Sequence, residues 1–146
     1  MSVRRFVERI APSGPLYVRI YPRELWIRDV RTSVNWREPA VVALKICSKE
    51  VVAAGDGVVE LTPRAREDLR IVWPFDHPRS IVQDFLVAEH LMRHAVPMIL
   101  AGRWFRPAPV VLVHPRDKLE GGLTAVERRA LRELAAGAGA REALVW

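Results

Sequence analysis

Cysteine is almost absent. Cys47 is the single one in 146 residues, so no internal disulfide can form, and the chain reads as one suited to a reducing cytoplasm. Long apolar runs are missing as well: none approaches the ~20 residues a helix needs to cross a bilayer. Met1 to Ile10 carries three arginines but no apolar h-region, which is not the pattern of a secretory signal. Lysine is scarce, three residues against twenty arginines, and no run of four or more basic residues occurs. That excludes a dedicated basic arm and sets the expectation of no nucleic-acid partner. Neither of the glycine-rich phosphate loops, GxxxxGK followed by Ser or Thr or the spaced GxGxxG, is present. No internal repeat or low-complexity tract is visible.

What is present is an ordinary globular composition. Half the residues are hydrophobic and 27% charged, which rules out wholesale disorder and coiled coil. The length suits one domain or two small subdomains and buries roughly two-thirds of the unfolded surface. The net charge of +6 favours anionic surfaces as partners.

Val3, Phe6, Val7 and Ile10 recur at helical spacing against Arg4, Arg5, Glu8 and Arg9, so residues 1–15 read as an amphipathic segment ended by Pro12-Ser13-Gly14-Pro15. Strands are predicted at Leu16–Ile20, Leu25–Val30 and Ser33–Arg37, an antiparallel meander. A further strand pair, Val41–Cys47 and Val51–Ala54, surrounds the turn Ser48-Lys49-Glu50 and is closed by Gly55-Asp56-Gly57. Thr62-Pro63 starts a short helix toward Leu69, and Pro74 and Pro78 enforce a loop. A long helical pattern begins at Ser80, and Pro97 must kink or break it. Ala108–Val113 is an apolar strand. Thr124-Ala125-Val126-Glu127 is a capping box opening a helix to about Ala136, with Gly137 and Gly139 as C-cap and a last strand at 142–146.

A meander followed by strand-helix-strand alternation gives α/β with a parallel β-α-β unit and a right-handed crossover. The ribonuclease-H-like order fits it, with a small β-rich insertion.

The stretch Val126-Glu127-Arg128-Arg129-Ala130-Leu131-Arg132-Glu133, continuing to Gly137-Ala138-Gly139-Ala140-Arg141-Glu142, closely resembles the bacterial actin-like MreB/Mbl family. That family carries a VERRAIRE-type helix and a GAGARE-type turn there. Glu38-Pro39-Ala40-Val41-Val42-Ala43-Leu44 resembles its NEPSVVAI segment, Gln83-Asp84-Phe85 its IADF, and Arg106 to Val113 its RPSPRVLV strand. The likeness covers most of Leu16 to Trp146. It implies the first lobe of a two-lobed, ATP-binding fold: residues 16–40 and 79–146 as actin-like subdomain IA, and 41–78 as a IB-like insertion. The EEP segment, the second phosphate loop and the adenosine pocket that follow in the family are not in this sequence.

The resemblance also places the family's first phosphate loop, a DLGTANT-type turn, between the first two strands. Gap-free alignment puts Arg19 at the aspartate, Tyr21 at the glycine, and Pro22, Arg23 and Glu24 after it. Glycine lets backbone amides approach a phosphate, proline lacks that amide, and arginine cannot replace a carboxylate that organises magnesium. The expectation is a chain without cofactor or catalytic residues: not an enzyme, a pseudo-ATPase. A nuclease of this fold would need clustered carboxylates for two metals, whereas Asp29, Asp56 and Asp84 are scattered.

Trp104 and Phe105, flanked by Arg103 and Arg106, sit where the family carries a membrane-inserting loop; the other reading is that they cap the core. Phe6, Val7 and Ile10 offer a second membrane contact, or a helix packed on the domain. His90 and His94 share the i, i+4 spacing of a zinc pair but lack further ligands, so no metal is expected. Arg128, Arg129 and Arg132 form a charged helix face, a protein interface by resemblance or simply a solvated surface. Leu144 and Trp146 lie on a strand whose covering helix is missing, a seam for a partner or a homodimer.

Together these imply a truncated, ATPase-deficient accessory of the bacterial cell-shape cytoskeleton. It is expected in the cytoplasm, peripheral at the anionic inner face of the membrane, bound to a full-length MreB/Mbl-type protein or to itself. The competing reading is a membrane-surface adaptor that uses the fold as scaffold.

Overall fold

The computed structural model describes residues 14–101 and 107–146. Three strands, β1 (Leu16–Ile20), β2 (Glu24–Asp29) and β3 (Asn35–Pro39), form the expected antiparallel meander. Two more, β7 (Val110–Pro115) and β8 (Glu142–Val145), add to β1 in parallel, giving the order β3-β2-β1-β7-β8. The β2–β3 turn closes on Asp29, whose Oδ1 accepts from the amides of Arg31 and Thr32 at 2.9 and 3.2 Å.

Period-two alternation sorts the strands onto two faces. Leu16, Val18, Ile20, Leu25, Ile27, Val111 and Val113 point to one side and are buried. Two helices cover that side, α3 (Phe85–Leu100) through Leu91, Met92 and Ala95, and α4 (Ala125–Gly137) through Leu131, Leu134 and Ala135. Each fully buried aliphatic contributes roughly 2 kcal/mol. The other face carries Tyr17, Arg19, Trp26, Arg28, Leu112, His114, Leu144 and Trp146, and no described helix packs on it.

The helices start where their caps dictate. Asp84 accepts from the Val87 amide at 3.2 Å, so α3 begins at Phe85 rather than Ser80. It continues through Pro97, whose exposed position lets the opened carbonyl meet water. The capping box of α4 is complete: Glu127 N–H donates to Thr124 Oγ1 at 3.2 Å, and Thr124 N–H to Glu127 Oε2 at 2.9 Å. Its C-cap is Ala138, not a glycine. Gly137 is the last helical residue, where a Cβ would lie 2.2 Å from Glu89 Oε1, and Gly139 adopts φ +99°.

Residues 42–72 build a second sheet, β5-β4-β6, from β4 (Val42–Lys45), β5 (Val51–Ala54) and β6 (Leu69–Val72). Strand β6 is a correction. The sequence reading carries a helix toward Leu69, yet α2 (Pro63–Arg66) ends after one turn, and the following segment pairs with β4, Ala43 opposite Ile71. A four-residue strand has too little periodicity to declare itself; pairing decides it. Gly55-Asp56-Gly57 likewise opens a short helix, α1 (Asp56–Val59), instead of a plain turn.

Candidate functional site

The turn between β1 and β2 is the position the resemblance assigns to phosphate. Here it closes on itself, with Tyr21 N–H donating to the Glu24 carbonyl at 2.9 Å, while Pro22 has no amide to offer. Arg23 turns away: its Nε donates to Asp76 Oδ2 at 2.8 Å and its guanidinium lies 4.6 Å from the Trp73 ring centre. Glu24 is held by Trp26 Nε1 at 2.9 Å and Arg37 at 2.6 Å, and these hydrogen bonds lower its pKa. Arg19 stacks on the rings of Tyr17 and Trp26, at 5.1 and 5.5 Å.

The side chains of Arg19, Arg23 and Glu24 are thus engaged with protein, and Pro22 leaves the turn one amide short of a phosphate cradle. Beside it, at the carboxyl ends of β1 and β7, Arg79, Arg116 and Lys118 line an open cleft of about 690 Å³ together with Asp117 and Glu120. Lys118 Nζ already donates to the Phe75 carbonyl at 3.1 Å. The cleft offers positive charge without a backbone cradle.

The sequence-predicted interface residues fall on two surfaces rather than one. Arg129 and Arg132 are exposed and Arg128 half-buried on α4, with Arg129 paired to Glu133 at 2.8 Å. Leu144 and Trp146 are on the far side of the sheet, because they alternate with the inward Ala143 and Val145. Trp146 is 58% exposed and its ring centre is 5.7 Å from that of His114. Phe6, Val7, Ile10, Trp104 and Phe105, the expected membrane contacts, lie outside the described residues.

His90 is exposed, whereas His94 joins a pair that the sequence reading missed. His94 Nε2 is 3.2 Å from Oε2 of Glu38 at the end of β3. Burial raises the Glu38 pKa against the pull of His94, and nearby Asp56 adds to the rise. The available signal was parity: Glu38 shares the inward face with Trp36, while Asn35 and Arg37 are exposed. Among the described residues, no group of three or more His, Cys, Asp or Glu side chains is placed to hold a metal. No described helix is long and apolar enough to cross a membrane.

Comparison with known proteins now adds to this geometry. A family model described as MreB/Mbl protein matches residues 28–146. The cell shape-determining protein MreB of Escherichia coli K12 is 35% identical over 109 residues, covering 72% of this chain and 30% of that protein. The MreB of Haemophilus influenzae is 33% identical over 116 residues, covering 77% and 31%. The chain therefore spans about 30% of the length of the curated relatives it matches. Among solved structures, MreB5 of Spiroplasma citri bound to ADP superimposes with a TM-score of 0.67 over 92% of this chain and 39% of that one, at 19% identity. The AMPPNP-bound form of the same protein gives 0.65.

These matches bear out the actin-like α/β fold and correct one expectation. A chain read as no enzyme has relatives that are actin-like ATPases, so the family points toward ATPase activity. The sequence reading inferred inactivity from the substituted β1–β2 turn together with the family segments that are not in this sequence, and membership of the family overturns that inference.

Proposed function

Since the chain belongs to the MreB/Mbl protein family, we propose that it serves the actin-like cell-shape cytoskeleton as an accessory that joins or caps filaments of a full-length MreB/Mbl-type protein. The observation that carries this reading is the family match over residues 28–146, on a chain with the fold of the solved MreB structures. Proteins of this family self-associate into filaments. The exposed side of α4, with Arg128, Arg129 and Arg132, is the docking surface in this reading. Phe6, Val7, Ile10, Trp104 and Phe105 supply contact with the anionic inner face of the membrane, two weak anchors together giving stable attachment.

Co-sedimentation tests it. The purified protein is spun with anionic liposomes, with and without full-length MreB from the same cell, in the presence of ATP and with phosphate release followed. Pelleting with MreB, reduced at least several-fold by Arg128→Glu with Arg132→Glu, is the expected result. Pelleting with lipid alone, abolished by Trp104→Ser with Phe105→Ser, replaces this reading with the membrane-surface adaptor. Pelleting with neither removes both.

A further inference from the structure

The outer side of the β1–β3 meander has a composition that contact with water does not call for. An antiparallel sheet can leave one face to solvent, and such a face reads polar. Here two rows cross the strands. Arg19, Trp26 and Arg37 are direct neighbours on β1, β2 and β3, and Tyr17, Arg28 and Asn35 form the next row. These six residues border a shallow hollow of about 220 Å³. Tyr17, Arg19 and Trp26 are half-buried, while Arg28, Asn35 and Arg37 are exposed. Tryptophan, tyrosine and arginine are the residues that carry most binding energy in protein interfaces.

The charge on this side is unbalanced. Glu24, the carboxylate of β2 that faces it, is engaged by Arg37 at 2.6 Å and by Trp26 Nε1 at 2.9 Å. Asp29 is buried on the opposite side. Arg19 lies over the Tyr17 and Trp26 rings, 5.1 and 5.5 Å from their centres, and has no carboxylate partner among the described residues. Arg28 reaches Ser33 Oγ at 3.5 Å, and Arg37 keeps donors beyond the one that Glu24 takes. A guanidinium placed by rings meets an incoming carboxylate with little rotamer freedom left to lose.

We propose that this side of β1–β3 docks an acidic amphipathic helix of a partner protein. Its apolar stripe sits over Trp26, and carboxylates on its two flanks meet Arg37 on one side and Arg19 with Arg28 on the other. The dimensions fit. Three strands ~4.8 Å apart and five residues long give a surface of about 14 Å by 17 Å. One helix is ~10–12 Å across and three turns are ~16 Å long. The patch therefore takes a single helix and is too small for a folded domain, which covers ~800 Å² of its partner. A second copy of the face would bring arginine against arginine. Single-stranded nucleic acid stacks on free rings, and both rings here already carry guanidiniums. The site lies across the sheet from α4, so the inference stands whether or not α4 docks MreB.

Fluorescence anisotropy with labelled synthetic helices tests it. The probe is a peptide of about 18 residues with leucines at helical spacing flanked by glutamates. It is compared with the same peptide carrying lysine for glutamate, and with a scrambled peptide of equal charge. The full-length protein should bind the first and neither of the others. Arg19→Gln with Arg28→Gln should weaken that binding at least tenfold, and Arg128→Gln with Arg132→Gln should leave it unchanged. No binding at ~1 mM peptide, equal binding of the scrambled peptide, or a loss confined to the α4 variant overturns the proposal. A dimer that Arg19→Gln with Arg28→Gln disperses in analytical ultracentrifugation overturns it by placing a second copy on the face. Phosphatidylglycerol vesicles bound through Arg19 and Arg28, by a protein that ignores the peptide, overturn it in favour of lipid. Asn35→Glu, at the exposed rim, is the second variant should the arginine pair impair folding. It sets a carboxylate against those of the helix and should weaken binding several-fold; unchanged affinity overturns the proposal.

Discussion

The Glu38 carboxylate fills the space that a side chain at Gly55 would need: a Cβ on Gly55 would lie 1.9 Å from Oε2 of Glu38. The contact joins the end of the large sheet to the start of α1, and Gly55 N–H donates to the Val41 carbonyl at 2.8 Å. Glu38 is 4% exposed, and its Oε1 has no hydrogen-bond partner among the described residues.

Gly55→Ala should therefore be severe. Alanine at φ +58° and ψ −131° is strained by about 1–3 kcal/mol, and its methyl must also displace the carboxylate. A loss of about 2 kcal/mol or more in urea unfolding is expected. Gly57→Ala is the control, since its nearest neighbour is Ala53 Cβ at 3.8 Å and it lies within α1. It should be neutral or raise stability by about 0.5 kcal/mol.

Glu38 should also shape the pH dependence. Its pKa is raised in the folded protein, chiefly by burial, so the folded state holds this proton more tightly than the unfolded one. Its contribution is complete below the ordinary value of 4.5 and is lost as pH rises through the folded value. Glu38→Gln keeps an acceptor for His94 and removes the titration. Unfolding midpoints of this variant between pH 4.5 and 7.5 should lose the downward slope that Glu38 imposes on the wild type; equal slopes in the two proteins would refute the assignment.

His114 acts in the opposite direction. Burial, with Arg116 and Arg19 nearby, lowers its pKa, so its contribution is present above 6.5 and lost as pH falls through the folded value. The difference between wild type and His114→Gln isolates this slope, because Glu38 is common to both. Between pH 7.5 and 5.5 the wild type should lose stability relative to the variant.

Thr124→Ala removes the hydroxyl half of the capping box of α4, while the backbone amide at 124 still donates to Glu127, and should cost about 1 kcal/mol, lowering the melting temperature by about 2–4 °C. If α4 is the docking surface, MreB co-sedimentation should persist in this variant at temperatures where it stays folded.

Much of the fold was legible because its signals are local. Leu16, Val18 and Ile20 alternate, and Thr124 and Glu127 are three apart, so strand and cap are written into neighbouring residues, whereas the start of α3 at Phe85 rather than Ser80 emerged only with the Asp84 cap. The parallel β-α-β order followed from the sequence of elements. Strand β6 was not legible, since Leu69–Val72 takes its conformation from β4, a partner 27 residues away. Nor was the Glu38–His94 pair, 56 residues apart in the chain. The spread of the site residues is of the same kind: Arg132 and Leu144 are twelve residues apart, yet the sheet lies between them.

By itself the sequence determined the α/β class, the capping box of α4, the family likeness and the loss of glycine from the β1–β2 turn, because each depends on residue type and short spacing. Tertiary structure alone decided that Arg19 stacks on Tyr17 and Trp26, that Glu38 is buried against His94, and that one sheet face has no described helix upon it. Those outcomes depend on which distant groups share a low-dielectric interior or a common face, and only the packed chain brings such groups together.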